Sequence, residues 1–319
     1  MKNVLFFLFA LIVLLIGGGG FMIWFQTKGT AASDLETTYL TSADRFVDVA
    51  GARVRVREEG PVDAQPIVLI HGFTFSLETW DAWAQTLKSD YRVIRYDLLG
   101  HGLTGPDTQS RYAPAERAAF LGELLDALGV EQPVLAGNSL GGLAAWRFAA
   151  SNPEALSALI LISPGAYPQN GVTDEPAEVP NAMKAYLLLA PPEGVKMSAE
   201  LIYGDDSKIS PERLTVLRDM MSREGNGPAM IESVEEFTLP DPEPLLADIT
   251  VPTLILWGEE DMLIPSTDGA RMQKAIPQAR LITYPGVGHS AQEEAPEQTV
   301  ADARLFMEAV FATAPGEGE

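Results

Sequence analysis

The sequence predicts an α/β protein with a doubly wound, mostly parallel sheet and a helical cap inserted before the strand that carries a candidate catalytic acid. Three observations predict it. Short apolar runs alternate with helical stretches along most of the chain. Those runs are unbroken, as in parallel strands buried on both faces. The alternation then lapses once, between residues 165 and 247.

In chain order, strands are expected at residues 46–49, 52–57, 67–70, 92–96, 133–136, 158–162, 251–257 and 280–284. Helices are expected at 77–87, 115–128, 143–150, 267–275 and 294–311. The interrupting stretch is rich in Pro, Met and Glu and shows helical periodicity around 183–189, 199–203 and 211–221. An insertion at that point lies above the carboxyl ends of the strands, where open α/β sheets bind ligands, so it reads as a lid. The expected organisation is a membrane anchor or signal over 1–28, a linker over 29–44, a core in two parts (45–164 and 248–312) around a cap at 165–247, and a tail over 313–319.

Composition narrows the function. The chain has 319 residues, 46% hydrophobic and 21% charged, which suits a globular protein with a full core. Asp and Glu number 44 against 22 Lys and Arg, a formal charge of −22 that repels phosphate backbones and argues against nucleic acid as a partner. Cysteine is absent, which excludes disulfides, a thiolate nucleophile and Cys-ligated metals. From Val4 to Phe25 the chain carries no charge, with Lys2 before and Lys28 after. At about 1.5 Å per residue such a helix crosses a hydrocarbon core of about 30 Å. The expectation is a transmembrane helix tethering an extracytoplasmic catalytic domain, with a cleaved signal peptide as the competing reading.

The chemistry gathers at strand ends. Gly137-Asn138-Ser139-Leu140-Gly141-Gly142 falls between a strand and a helix, the context in which a Gly-x-Ser-x-Gly turn exposes a nucleophilic serine. A serine hydroxyl needs a base, and in this context the base follows it in the chain. His71 and His101 precede Ser139, which leaves His289 in Gly286-Val287-Gly288-His289. A carboxylate must hold that imidazole, and Asp261 follows the seventh strand, with Glu259 and Glu260 as rivals. Backbone N–H groups of Leu140 and Phe73 are placed to form an oxyanion hole. Asp97, His71 and His101 read as structural. Phe73, Phe75, Trp80 and Trp257 line either a pocket or the core. No cofactor or metal is implied.

Taken together, His71-Gly72-Phe73, Trp80, Asp97-Leu98-Leu99-Gly100-His101-Gly102, the Ser139 turn, Trp257-Gly258-Glu259-Glu260-Asp261 and Gly286 to His289 resemble the α/β-hydrolase superfamily across about residues 45–312. The resemblance implies the α/β-hydrolase fold and a Ser-His-Asp triad. Serine at the turn argues against epoxide hydrolases and haloalkane dehalogenases, which carry aspartate there. The apolar N-terminus and the His-Gly-Phe loop are similar to the monoacylglycerol-lipase branch, implying apolar or lipid-like ester substrates. Carbon–carbon bond hydrolases of the meta-cleavage-product type are the alternative. They usually carry Trp after the histidine, where this chain has Ser290. A non-catalytic ligand-binding member is a further alternative, and the complete triad argues against it.

Overall fold

The computed structural model describes residues 29–313. One sheet holds eight strands, β1 (Asp44–Val49), β2 (Ala52–Glu59), β3 (Pro66–Ile70), β4 (Arg92–Tyr96), β5 (Val134–Asn138), β6 (Ala158–Ile162), β7 (Thr253–Gly258) and β8 (Ala279–Tyr284), in the order β1-β2-β4-β3-β5-β6-β7-β8. Strand β2 runs antiparallel to β1 and β4, and every other neighbouring pair is parallel. This is the doubly wound, mostly parallel sheet that the apolar runs predict.

Those runs are continuous because both faces are covered. Leu159 and Leu161 of β6 join a core with Trp146 and Leu143 of helix α4 (Leu140–Ser151) and Leu121 and Leu124 of α3 (Pro114–Leu128). Ala158, Ile160 and Ile162 of the same strand face the opposite core, with Trp83 of α2 (Asp81–Leu87) and Val300, Ala303 and Met307 of α12 (Pro296–Thr313). Alternate residues thus serve opposite layers, so β6 reads as an unbroken apolar run.

Between β6 and β7 lie α5 (Asn181–Leu189), α6 (Pro192–Ile202), α7 (Pro211–Ser222), α8 (Asn226–Glu235) and the short α9 (Glu243–Leu246). The first four build a separate apolar cluster around Tyr186, Leu187, Ile202, Leu217, Met221 and Met230. Helices α10 (Thr267–Ala275) and α11 (Ala291–Glu294) complete the second half.

Residues 29–44, expected as a linker, contain helix α1 (Ala32–Tyr39). Leu35 packs against Leu103 and Met220. Thr30 exchanges backbone hydrogen bonds with the turn after α7, Thr30 N–H to Ser222 O at 2.7 Å and Glu224 N–H to Thr30 O at 2.8 Å.

The membrane expectation requires correction. Among the described residues no helix is long and apolar enough to cross a membrane. The longest, α12, has 18 residues but carries Glu297, Asp302, Arg304 and Glu308. The transmembrane helix expected over 4–25 lies outside the described residues, and since none of the described helices can span a bilayer, the expectation of a transmembrane helix and of a membrane-anchored, extracytoplasmic domain is withdrawn.

Chain direction across the sheet decides where a site can form. From β3 the chain moves to β4 on one side, and β5 then pairs on the other side of β3. That reversal makes the carboxyl ends of β3 and β5 the switch point, where open α/β sheets bind ligands.

Candidate active site

Strand β5 ends at Asn138 and helix α4 begins at Leu140, so Ser139 makes the whole turn, with φ 53° and ψ −114°. A non-glycine residue there carries strain of about 1–3 kcal/mol, which the surroundings must over-determine. They do so with three backbone hydrogen bonds: Ser139 N–H to Ile162 O at 3.0 Å, and Ser139 O accepting from Leu143 N–H at 2.9 Å and Gly165 N–H at 3.1 Å. The flanking glycines are required by contact. A Cβ on Gly137 would lie 2.5 Å from Gly141 O, and one on Gly141 would lie 2.3 Å from Ile70 O. The Leu140 N–H stands at the start of α4, where the helix dipole favours negative charge.

The loop after β3 lies alongside. A Cβ on Gly72 would meet Ser139 Cβ at 3.2 Å, which measures how closely the two turns approach. Phe75 N–H donates to Gly72 O at 3.3 Å, closing a tight turn in which Thr74 takes φ 63°. Among the described residues the Phe73 N–H donates to no protein acceptor.

His71 holds this loop. Its Nε2 accepts from Leu98 N–H at 2.9 Å, so Nδ1 carries the proton and donates to Gly72 O at 2.7 Å. Burial pushes its imidazole down to about 4. With both nitrogens engaged and the charged form disfavoured, His71 is not placed to accept a proton from substrate. His101 is also fully buried, which depresses it strongly, with Nδ1 at 3.1 Å from Leu99 O. Asp97 accepts from Leu77 N–H and Leu103 N–H, both at 2.8 Å, and pairs with Arg55 at 3.3 Å. Its role is to shape the Asp97–Gly102 loop.

Past β7, Asp261 Oδ2 lies 2.8 Å from His289 Nδ1, with the carboxylate fully buried. Asp261 Oδ1 accepts from Leu263 N–H and Ile264 N–H, each at 2.9 Å, which fixes the oxygen presented to the histidine. Glu259 and Glu260 are exposed. Glu259 accepts from Thr283 Oγ1 at 2.7 Å, away from the imidazole. The two loops meet closely, since a Cβ on Gly258 would lie 2.1 Å from Gly288 O.

Asn138 links the serine turn to the histidine loop: its Nδ2 donates to Ile162 O at 3.1 Å and His289 O at 3.2 Å. Its only sequence signal is a polar amide at the end of a buried strand. Among the described residues Ser139 Oγ makes no hydrogen bond to His289 Nε2, a contact that commonly tightens only when substrate binds. Of the four aromatics, Trp80 and Trp257 are fully buried in the sheet cores and Phe75 is buried in the cap cluster. Phe73 stays partly exposed, and with Leu263 it packs against both the sheet core and the cap cluster.

A profile described as the alpha/beta hydrolase family matches residues 67–303. The chain belongs to the alpha/beta hydrolase family. This hydrolase is 26% identical over 275 residues to Lipase 1 of Psychrobacter immobilis, covering 86% of this chain and 84% of the lipase. It is also 26% identical over 274 residues to 2-hydroxy-6-oxononadienedioate/2-hydroxy-6-oxononatrienedioate hydrolase 1 of Dechloromonas aromatica, covering 80% and 94% of the two chains. Among solved structures, a bacterial membrane phospholipase A superposes with a TM-score of 0.73 at 23% identity, over 97% of this chain and 99% of that one. That likeness concerns the fold.

Proposed function

We propose that this hydrolase cleaves carboxylic esters of apolar, lipid-like substrates through an acyl-enzyme on Ser139. His289 Nε2 takes the Ser139 proton as Oγ attacks the ester carbonyl, and the N–H groups of Phe73 and Leu140 stabilise the oxyanion. The tetrahedral intermediate collapses with cleavage of the C–O bond, and the alcohol leaves with the proton from His289. Water, deprotonated by the same base, then releases the acid and restores Ser139. Asp261 holds the tautomer with Nδ1 protonated and Nε2 free. The α5–α8 helices act as a cap over this chemistry.

One observation carries the reading. A strained serine turn and a buried Asp–His pair stand at the same end of the sheet, joined by the Asn138–His289 hydrogen bond. Support for an apolar substrate comes from Phe73 and Leu263, partly exposed between the two apolar clusters. The lipase relative points the same way.

The Dechloromonas relative favours a second reading, carbon–carbon bond hydrolysis of a meta-cleavage product. Against it, Ser290 is fully buried, so the residue after the histidine presents no side chain to a substrate. A chain-length series of p-nitrophenyl esters and monoacylglycerols, assayed beside a meta-cleavage substrate, separates the two. Ester turnover should dominate and rise with acyl length. Preferred turnover of the meta-cleavage substrate would overturn the ester assignment, and turnover of neither would favour a ligand-binding role.

A further inference from the structure

The histidine loop and the cap share one buried carboxylate. Glu294 ends helix α11, and its side chain has no solvent exposure. Oε2 accepts from Gly288 N–H at 2.7 Å and from Gly204 N–H at 3.0 Å, while Oε1 accepts from Asp205 N–H at 2.9 Å. Gly288 directly precedes His289, whereas Gly204 and Asp205 belong to the turn after cap helix α6. The same two segments touch independently of this side chain. His289 N–H donates to Ile202 O at 2.6 Å. A Cβ on Gly288 would lie 2.4 Å from Ile202 O and 2.5 Å from Gly204 N. Lys208 closes the arrangement by donating to Glu294 O at 3.0 Å.

We propose that Glu294 is a positioning residue for His289: by clamping the Gly288 peptide to the cap turn 202–205, it makes the aim of the imidazole depend on the cap as well as on Asp261. The inference rests on His289 acting as the base. Under it, the 202–205 turn is a fixed support of the catalytic loop, and any opening of the cap pivots elsewhere. A carboxylate suits the task because all three partners are N–H donors. A glutamine there has one acceptor oxygen and turns an NH2 toward a backbone donor. The neighbouring Glu293 provides the contrast. It accepts from Tyr203 Oη at 2.6 Å and pairs with Arg213 at 2.6 Å, tying α11 to the cap without touching Gly288.

The test compares Glu294→Gln, Gly204→Ala and Glu293→Gln in the full chain, using a short-chain p-nitrophenyl ester. Gly204→Ala reaches the contact from the cap side, since its Cβ would lie 2.9 Å from Gly288 N, and it carries the test if Glu294→Gln does not fold. Glu294→Gln and Gly204→Ala should each lower kcat by about 10- to 100-fold with KM within about threefold, the signature of a misaimed base. Both should also weaken the low-field proton resonance of the His289 Nδ1–H. Glu293→Gln should keep kcat and the resonance. Unchanged kcat and resonance in the first two variants, even with a lowered melting temperature, would reduce Glu294 to a structural role. An equal kcat loss in Glu293→Gln would assign the effect to cap attachment in general and overturn the clamp. Ser139→Ala and His289→Ala run alongside. Turnover within about tenfold of wild type in those would sink the triad, whereas strongly impaired triad variants beside a fully active Glu294→Gln would sink this inference alone.

Discussion

Asp261→Asn should lower kcat by about 10⁴-fold while leaving the fold in place. The two carboxylate oxygens have different partners: Oδ1 accepts from Leu263 and Ile264 N–H groups at 2.9 Å, and Oδ2 faces His289 Nδ1 at 2.8 Å. An asparagine can satisfy the two backbone donors only with its oxygen, which turns its NH2 toward the imidazole. Nδ1 must then accept, the ring proton moves to Nε2, and Nε2 has no lone pair for the Ser139 proton. Asp261→Ala should behave differently. It leaves two buried N–H groups unpaired, at about 1–3 kcal/mol each, so stability falls together with activity. The assay is steady-state hydrolysis of a p-nitrophenyl ester beside thermal melting of each variant. Asp261→Asn retaining kcat within about tenfold of wild type would refute the tautomer argument and return Glu259 and Glu260 to consideration.

Three further outcomes follow from separate contacts. Gly141→Ala sets a Cβ 2.3 Å from Ile70 O and 2.5 Å from His71 O, both backbone, so the serine turn and the β3 loop must separate. A displacement approaching 1 Å should lower kcat by about 100-fold, measured on protein with native circular dichroism. Leu35→Ala, in the small cluster between α1 and the cap, should cost about 2 kcal/mol in urea unfolding. His71 should make stability pH-dependent. Its imidazole is ordinarily near 6.5 and sits at about 4 when buried, so the unfolded chain binds the extra proton. Stability is therefore complete above pH 6.5 and falls by roughly 3 kcal/mol as pH drops from 6.5 through about 4, with His101 acting in the same direction. Urea midpoints across that window should show the loss, and His71→Gln should reduce it, leaving the part that belongs to His101.

The sheet was legible because its signal is local. A strand buried on both faces is mostly apolar, and Ile67–Ile70 or Ala158–Ile162 leaves little room for another reading. Helices were legible where apolar periodicity was strong, as over 115–128, which buries Ala118, Phe120, Leu121, Leu124 and Leu125. Helix α8 was missed because it opens Asn226-Gly227-Pro228, a breaker cluster, and buries small residues such as Gly227, Ala229 and Ser233. Helix α1 was missed because Leu35 alone is buried along it, so no periodicity exists to be read. At the candidate site, chain order left His289 as the one histidine after Ser139, and the structure pairs it with Asp261. His71 was legible as a structural residue, although its partner Leu98 was not. The contributions of Asn138 and Glu294 were not legible, because each depends on backbone groups brought together across the fold: His289 with Asn138, Gly204 with Glu294.

Fluorophosphonate labelling followed by intact-mass and peptide analysis tests the central claim most directly. A serine held in a strained turn beside a functioning base should take up one phosphonyl group, carried on the Ser139 peptide, and Ser139→Ala should take up none. An unlabelled wild type, or an adduct on another serine such as Ser163 or Ser290, would contradict it.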